Sequence, residues 1–430
     1  MESVPRRTII LSAFACSPLW GSEPGVGWHW AVQLSTRHDV VVLTHGYFRQ
    51  HIESHLAAMP AAERPRRLTF EYFTPAQFGL HPHRQLNSRL FYMWWQLCAR
   101  SRVRALCARQ RVDLIHHLTW GTFRFATFLG GLGVPLVMGP LGGGDVAPMR
   151  LYKGLPWSVR LREALRALSL RLSRFDPMVR RALGTADLIL CKTDDTRRAL
   201  PGRHASRALL ACEIGAPEVD LQNRSGIDAE PALTGAGLRV RPFKLLFAGR
   251  LIGLKGVLLL LGTLKLLRDA GHAVQLQIAG DGPLHGVLAR QTQQLGIADA
   301  VQFLGALQRQ VLLRHYGQAD LFVFPSLHDS SGNVVLEALS RGLPVVCLDL
   351  GGPKHYVTPD CGVVVSTQGL SRSKVEQGMA RAITELILDP ARLRRMSDEA
   401  ARHARAQNWG ACVARAYDAI EQRLAWSGAP

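Results

Sequence analysis

The sequence predicts an α/β protein built from two Rossmann-like, doubly wound parallel-sheet domains, and three observations carry that prediction. A chain of 430 residues is too long for one compact core and near the size of two α/β domains. Short apolar runs alternate with helix-sized segments along most of its length, the pattern of parallel sheets. A stretch rich in glycine, proline and polar residues, IGAPEVDLQNRSGIDAEPALTGAGLRVR, separates two such sets. With 47% hydrophobic and 20% charged residues, the composition excludes a largely disordered chain, a collagen-like fibre and a polytopic membrane protein.

The first set of strands reads TIILSAF (8–14), DVVVLTH (39–45), LTFEYF (68–73), DLIHHL (113–118), PLVMG (135–139) and ADLILCK (186–192). The second reads FKLLFAG (243–249), AVQLQIAG (273–280), AVQFLG (300–305), ADLFVFPS (319–326), LPVVCLD (343–349) and GVVVS (362–366). From Pro390 to Trp426 the pattern is helical. Two such domains joined by a linker imply a cleft, and sheets of this kind bind ligands at the carboxyl ends of their strands.

Two stretches imitate membrane or targeting signals. The start, MESVPRRTIILSAFACS, has a basic pair and a short apolar run but leads into a turn-to-helix transition, so a buried first strand is expected. Residues 125–144 are uncharged for 20 positions, the length of a membrane span, yet hold seven glycines and two prolines. They divide instead into a helix (RFATFLGGLG), a strand (VPLVMG) and a glycine loop (PLGGGD). The eight cysteines form no C-x-x-C pair and read as buried thiols of a reducing compartment, without a disulfide frame or metal site.

The charge is +19, and much of the excess lies in two arginine-rich segments, 84–111 and 150–183, mixed with aromatic and leucine residues. In the second, Leu161, Leu165, Leu168 and Leu172 recur at three- and four-residue steps, while Arg162, Arg166 and Arg174 fall largely off that face. An amphipathic helix with a cationic side suits an anionic membrane surface. The plain alternative is a domain helix whose arginines face water. Nucleic-acid binding would rest on charge alone, with no recognition motif behind it, and is not expected.

Three constellations bear on chemistry. After the first strand, GSEPGVGWHWAVQL (21–34) is a glycine-containing turn opening a helix, with Gly25 and Gly27 near amides that would suit a phosphate. The spacing is not G-x-G-x-x-G and no acidic residue ends the second strand, so a dinucleotide dehydrogenase is weakly supported. In the second half, Arg250 and Lys255 follow a strand end, five residues apart among glycines, and can converge on a diphosphate. Finally, FPSLHDSSGNVVLEALSRGLP (324–344) sets Asp329 at a strand end and Glu337 eight residues on, in a helix expected to begin near Gly332. The amides of Gly332, Asn333 and Val334 form a second anion site there, and both carboxylates can accept hydroxyl donors from sugar or ribose.

These residues resemble the retaining glycosyltransferases of the GT-B fold, family 4. The motifs that carry the resemblance are GRLIGLKG (249–256), IAGDGPL (278–284), VQFLG (301–305), PSLHDSSGNVVLE (325–337), RGLPVV (341–346) and the glycine pair 351–352. They cover essentially all of 241–365 in the family's order, and the N-terminal half matches more loosely. The resemblance implies an acceptor-binding domain over 1–213, a linker over 214–240, a nucleotide-sugar domain over 241–405 and a C-terminal helix over 406–430 that crosses back to the first domain.

By the same resemblance, Arg250 and Lys255 neutralise the donor diphosphate, so neither metal nor cofactor is expected. Glu337 holds the ribose, Gly332, Asn333 and Val334 present amides, and Gly282 lies in the donor loop. Asp329 stands where the family usually has glutamate, and His355 near the usual glutamate after the glycine pair. His116 or His117 stands near the family's histidine, with His117 favoured. The implied activity is metal-independent, retaining transfer of a sugar from a nucleotide sugar through a front-face, oxocarbenium-like transition state. The expected partners are the donor, a saccharide or lipid-linked saccharide acceptor for polysaccharide or glycoconjugate assembly, and an anionic membrane. The place is cytoplasmic, on the inner face of the membrane. A synthase with a small soluble acceptor, or a non-catalytic nucleotide-sugar or anionic-polymer binding protein, are the alternatives.

Overall fold

The computed structural model describes residues 5–75, 86, 88–125, 127–217 and 241–425. They form two compact units, one from residues 1–144, 168–215 and 409–430, the other from 145–167 and 216–408. Residues 145–167, which the sequence places in the first domain, thus pack with the second unit. Most of the expected linker, 214–240, lies outside the described residues.

The first unit holds strands β1 (Thr8–Ser12), β2 (Asp39–His45), β3 (Leu68–Phe73), β4 (Leu114–His117), β5 (Leu136–Leu141), β6 (Leu188–Cys191) and β7 (Ala208–Leu210). Among the described residues they make one parallel sheet in the order β3-β2-β1-β4-β5-β6-β7. β1 is central, paired with β2 from Thr8–Asp39 to Ser12–Leu43 and with β4 from Ile9–Leu114 to Ser12–His117. Ile9, Ile10 and Leu11 are fully buried, as a strand covered on both faces requires. The apolar run that imitates a targeting signal is therefore the middle of a sheet.

The helix Ser22–Ser35 returns across this sheet and the C-terminal helix Trp409–Arg423 packs beside it. His29 stacks on Trp409 at 4.4 Å, and the Trp30 indole donates to the Glu213 carbonyl at 2.8 Å. The close approach of the first helix to the strand-end loop sets its glycines. A Cβ on Gly27 would lie 2.3 Å from the Ala15 carbonyl oxygen, and one on Gly25 would lie 2.7 Å from that of Trp20.

The helix expected over 124–133 does not form among the residues described there. Gly131 and Gly133 take φ of 69° and 78°, which right-handed helix excludes, and Thr122 bridges to Gly142 instead. The Arg100 guanidinium takes up the carbonyls of Phe128 and Gly130 that a helix would have paired internally. No described helix is long and apolar enough to cross a membrane.

The second unit holds β8 (Phe243–Ala248), β9 (Val274–Ala279), β10 (Val301–Gly305), β11 (Leu321–Phe324), β12 (Val345–Leu348) and β13 (Gly362–Val365), parallel in the order β10-β9-β8-β11-β12-β13. Leu245, Leu246 and Phe247 of the central strand are fully buried. In each unit the strand order reverses beside the first strand, between β1 and β4 and between β8 and β11. That is where sheets of this topology open a crevice at their carboxyl ends.

Residues 145–167 pack near that end of the second sheet. A Cβ on Gly253 would meet Val159 at 2.6 Å and Leu155 at 3.2 Å. Arg150 donates to the carbonyls of Thr367 and Leu370, and Arg372 to that of Lys153. The segment runs into the helix Trp157–Ser173, whose leucine stripe faces solvent, the reverse of an ordinary domain helix.

Candidate active site

The site residues of the second unit stand on loops that leave β8, β9, β11 and β12, and glycines let those loops touch. Gly256, at φ 68°, ends a single turn, Gly253–Lys255, and starts the helix Val257–Asp269. A Cβ there would lie 1.9 Å from the Pro325 carbonyl oxygen, so the loop after β8 lies directly on the loop after β11. Gly280 and Gly282 do the same on the other side, where a Cβ would meet the carbonyl oxygens of Gly249 at 1.9 Å and Leu251 at 2.7 Å. Gly351 and Gly352 pack on the backbone of Asp329 and Ser330, and the Gly352 amide donates to the Asp329 carbonyl at 2.7 Å.

This packing joins the two charged residues that face each other across the switch point. Lys255 Nζ donates to Asp329 Oδ2 at 2.6 Å and lies 5.3 Å from the Phe324 ring centroid. Asp329 Oδ1 accepts from the amides of Ser331 at 3.1 Å and Gly332 at 2.8 Å. Burial works to raise the Asp329 pKa, but Lys255 and these amides outweigh it and hold the carboxyl below its ordinary value. The Gly332 amide, expected to await an anion, is therefore already bonded. The first-turn amides of Asn333 and Val334 remain for one, because the helix Asn333–Ser340 begins after Gly332 at φ 76°.

Glu337 sits one turn into that helix and Arg309 Nη2 lies 3.7 Å from its Oε1. Burial raises its pKa, while Arg309 and the Tyr316 hydroxyl oppose the shift. Arg250 is exposed at the end of β8, and His355 lies half-buried in a single turn after the glycine pair. The structure thus brings Lys255, Asp329 and Gly332 into one hydrogen-bonded group and places Glu337 on the helix they cap.

Sequence reasoning missed four neighbours of this group. Phe324 underlies Lys255, Tyr316 and Arg309 surround Glu337, and His328 precedes Asp329. Burial, then the charge of Arg166, lowers the His328 pKa to about 4. Only Phe324 and His328 adjoin the motif itself; Tyr316 and Arg309 come from the helix Arg309–Gln318, where no spacing marks them.

In the first unit the two histidines part. His116 is a core residue, its Nε2 2.7 Å from the Gly139 carbonyl and its Nδ1 2.8 Å from the Tyr417 hydroxyl. His117 Nε2 lies 3.2 Å from the Tyr92 hydroxyl, and Tyr92 stacks on Trp120 at 4.3 Å. Trp120 holds φ of 56°, a strained conformation for a non-glycine residue. Burial lowers the pKa of His116 to about 4 and, with His116 beside it, that of His117 to about 3. Glu23 accepts the Gly121 amide at 2.9 Å, and burial raises its carboxyl against the pull of Lys192, itself paired with Glu213 at 2.6 Å. Gly25 and Gly27 lie within the buried part of their helix, where close packing already explains them.

Comparison with known proteins places these observations. Residues 235–403 match the family described as Glycosyl transferases group 1. The D-inositol 3-phosphate glycosyltransferase of Kineococcus radiotolerans is 30% identical over 261 residues, 57% of this chain and 60% of that protein. The glycogen synthase of Mycobacterium tuberculosis is 32% identical over 174 residues, 40% of this chain and 41% of its own. The alignments thus span about three fifths or less of these curated relatives.

Among solved structures, sucrose-phosphate synthase from Thermosynechococcus elongatus superposes with a TM-score of 0.59 at 18% identity, over 98% of this chain and 100% of that one. Anabaena HepE in complex with UDP gives 0.57 at 17% identity, over 97% and 100%. The two parallel sheets have the GT-B fold of these structures, and the second unit carries the sequence match to the group 1 glycosyl transferases over residues 235–403.

Proposed function

We propose that the protein is a retaining, nucleotide-sugar-dependent glycosyltransferase of family 4 that needs no metal. Its acceptor is a saccharide carried on a lipid, for polysaccharide or glycoconjugate assembly at the cytoplasmic face of a membrane. The observation that carries the reading is the Lys255–Asp329 pair at the switch point of the second sheet, inside the matched segment.

Departure of a nucleoside diphosphate leaves negative charge on the phosphate oxygens. Lys255 supplies a cation and Arg250 a second, and the Asn333 and Val334 amides add the positive end of a helix dipole. Stabilisation of this kind acts on charge that grows as the bond breaks, so it lowers the barrier more than it tightens ground-state binding. Glu337 accepts hydrogen bonds from the ribose. Asp329 turns a carboxylate to the sugar hydroxyls and, through the Gly332 amide, fixes the helix start. Gly282 shapes the loop beside them. His117, buried in the first unit, carries no charge at neutral pH and can act on a sugar hydroxyl only as a neutral hydrogen-bond partner.

The test is donor turnover without metal. Purified protein is incubated with UDP-, GDP- and ADP-sugars in the presence of chelator, and nucleotide release is scored for wild type and Glu337→Ala. UDP-sugars come first, because HepE has been seen with UDP and UDP-glucose. Release from one donor that the variant loses supports the reading. Absence of both binding and release across the panel overturns it.

A further inference from the structure

The helix Trp157–Ser173 is inside out. Trp157, Leu161, Leu165, Leu168 and Leu172 follow one another at steps of four, four, three and four, so they form a single stripe. Their relative exposures are 74, 47, 56, 51 and 56%, although a leucine stripe on a domain helix is ordinarily the buried one. The opposite side holds an ion pair. Glu163 is only 5% exposed and accepts from Arg166 Nε at 2.8 Å, while Arg166 Nη1 donates to the Asp145 carbonyl at 3.0 Å. Val159, one turn before Glu163, meets Gly253. The helix is therefore pinned by an inner face of Val159, Glu163, Arg166 and the buried Leu170, and its larger apolar stripe is left without a partner among the described residues.

We propose that this face docks on a lipid bilayer carrying anionic headgroups. Charge selects that occupant. The helix has four arginines and one acidic residue, and the acidic residue, Glu163, is the one turned inward. Arg160, Arg162 and Arg171 are exposed beside the leucine stripe, and Arg174 follows it. A helix lying in the interface sinks its leucines below the headgroups while flanking arginines reach out to phosphates, which are both anionic and bidentate acceptors. At about 1.5 Å per residue the stripe is long enough to lie flat across several lipids. A second copy of the chain is a poor fit. Two such faces brought together about a two-fold axis would oppose arginine to arginine with no exposed carboxylate on the helix to pair them.

The inference deepens the proposed lipid-linked acceptor and rests on that reading for its purpose, but its test is independent of donor chemistry. Full-length protein is sedimented with vesicles of phosphatidylcholine alone or with one third phosphatidylglycerol. Wild type binds the anionic vesicles and not the neutral ones. Leu161→Gln with Leu165→Gln lowers the partition coefficient about tenfold or more, and Arg160→Gln with Arg162→Gln weakens it and its salt dependence. All four positions are solvent-facing, so melting temperature and donor release in solution stay at wild-type values. The proposal is overturned if wild type ignores anionic vesicles or if the leucine variant binds like wild type. It is also overturned if analytical ultracentrifugation finds a dimer that the leucine variant dissolves. Wild-type protein that releases nucleotide from a donor but ignores anionic vesicles refutes this inference alone, and wild-type protein that binds the vesicles but neither binds nor turns over any donor refutes the glycosyltransferase reading alone.

Discussion

The two sheets share a strand order around their central strands, yet they place different chemistry at the same point. Between β8 and β11 stands an ion pair, Lys255 with Asp329, held by loops that glycines allow to touch. At the end of β4 the corresponding place holds His117, Trp120 just after it and Tyr92 from the helix Arg89–Arg109, a neutral aromatic group, with the Glu23 carboxyl raised by burial nearby. Topology fixes where a crevice opens, and loop residues decide what it can hold. Exposed and paired cations suit a diphosphate, whereas stacked rings with a buried, uncharged imidazole suit the polyhydroxylated face of a sugar. Under the proposed function, the same architecture serves a charged task in one unit and a neutral one in the other.

The largest expected effect breaks the charged side of that comparison. Lys255→Ala leaves the Asp329 carboxylate buried without its partner and, under the proposed function, takes a cation from the leaving group. Loss of one such stabilising group costs about 10²–10³ in kcat. Asp329→Asn keeps the amide-accepting oxygen and removes the charge, so a smaller loss, about tenfold, is expected. Measured under saturating donor, a Lys255→Ala enzyme with wild-type kcat would show that the pair is structural only.

How legible all this was in the sequence differs between the units for a physical reason. In the second, close backbone approach at Gly256, Gly280 and Gly351 forbids any other residue, so the contacts leave a mark in the sequence and the motif could be read. The strands could be read in both, since a run such as TIILS, buried on both faces, announces itself. The pairing of Lys255 with Asp329 was not legible, because it follows from a loop crossing that joins residues 74 positions apart. The aromatic group of the first unit was hidden for the same reason, with Tyr92 arriving from a separate helix. The helix expected at 124–133 failed where local apolar pattern was outweighed by two left-handed glycines and by Arg100. The inverted helix at 157–173 shows the limit of periodicity: it gives the stripe, not the side on which the protein lies.

Acid should separate the units next. His116 and His117 are neutral in the fold, with pKa values lowered to about 4 and about 3 from 6.5. Protonation therefore favours the unfolded chain. Their stabilisation is complete above pH 6.5 and is lost as pH falls from there toward 4, at up to about 1.4 kcal/mol per unit for each histidine. Glu23, raised by burial, opposes part of this loss once it binds its proton. In the second unit burial lowers His328 comparably, to about 4, and lowers His315 as well. The Asp329 pair keeps its contribution down to its ordinary value of 3.8 and loses it below. Hydrogen exchange at pH 5 against pH 7, corrected for intrinsic rates, should show the β1 and β4 peptides deprotected before those of β8 and β11. Equal deprotection would mean that the histidines do not set the acid limit.

The finest comparison uses glycine against itself. Gly27 and Gly184 both lie in helices of the first unit, Ser22–Ser35 and Pro177–Thr185. At Gly184 a Cβ would meet nothing within 4 Å, so Gly184→Ala gains helix propensity and should stabilise by about 0.5–1 kcal/mol. At Gly27 the same methyl would stand 2.3 Å from the Ala15 carbonyl oxygen, backbone that cannot rotate away, so Gly27→Ala should destabilise despite the same gain in propensity. Denaturant melts of the two variants give opposite signs if helix packing on the loop after β1 is what Gly27 serves. Gly27→Ala with wild-type stability and weakened donor binding would instead return that glycine to the donor site.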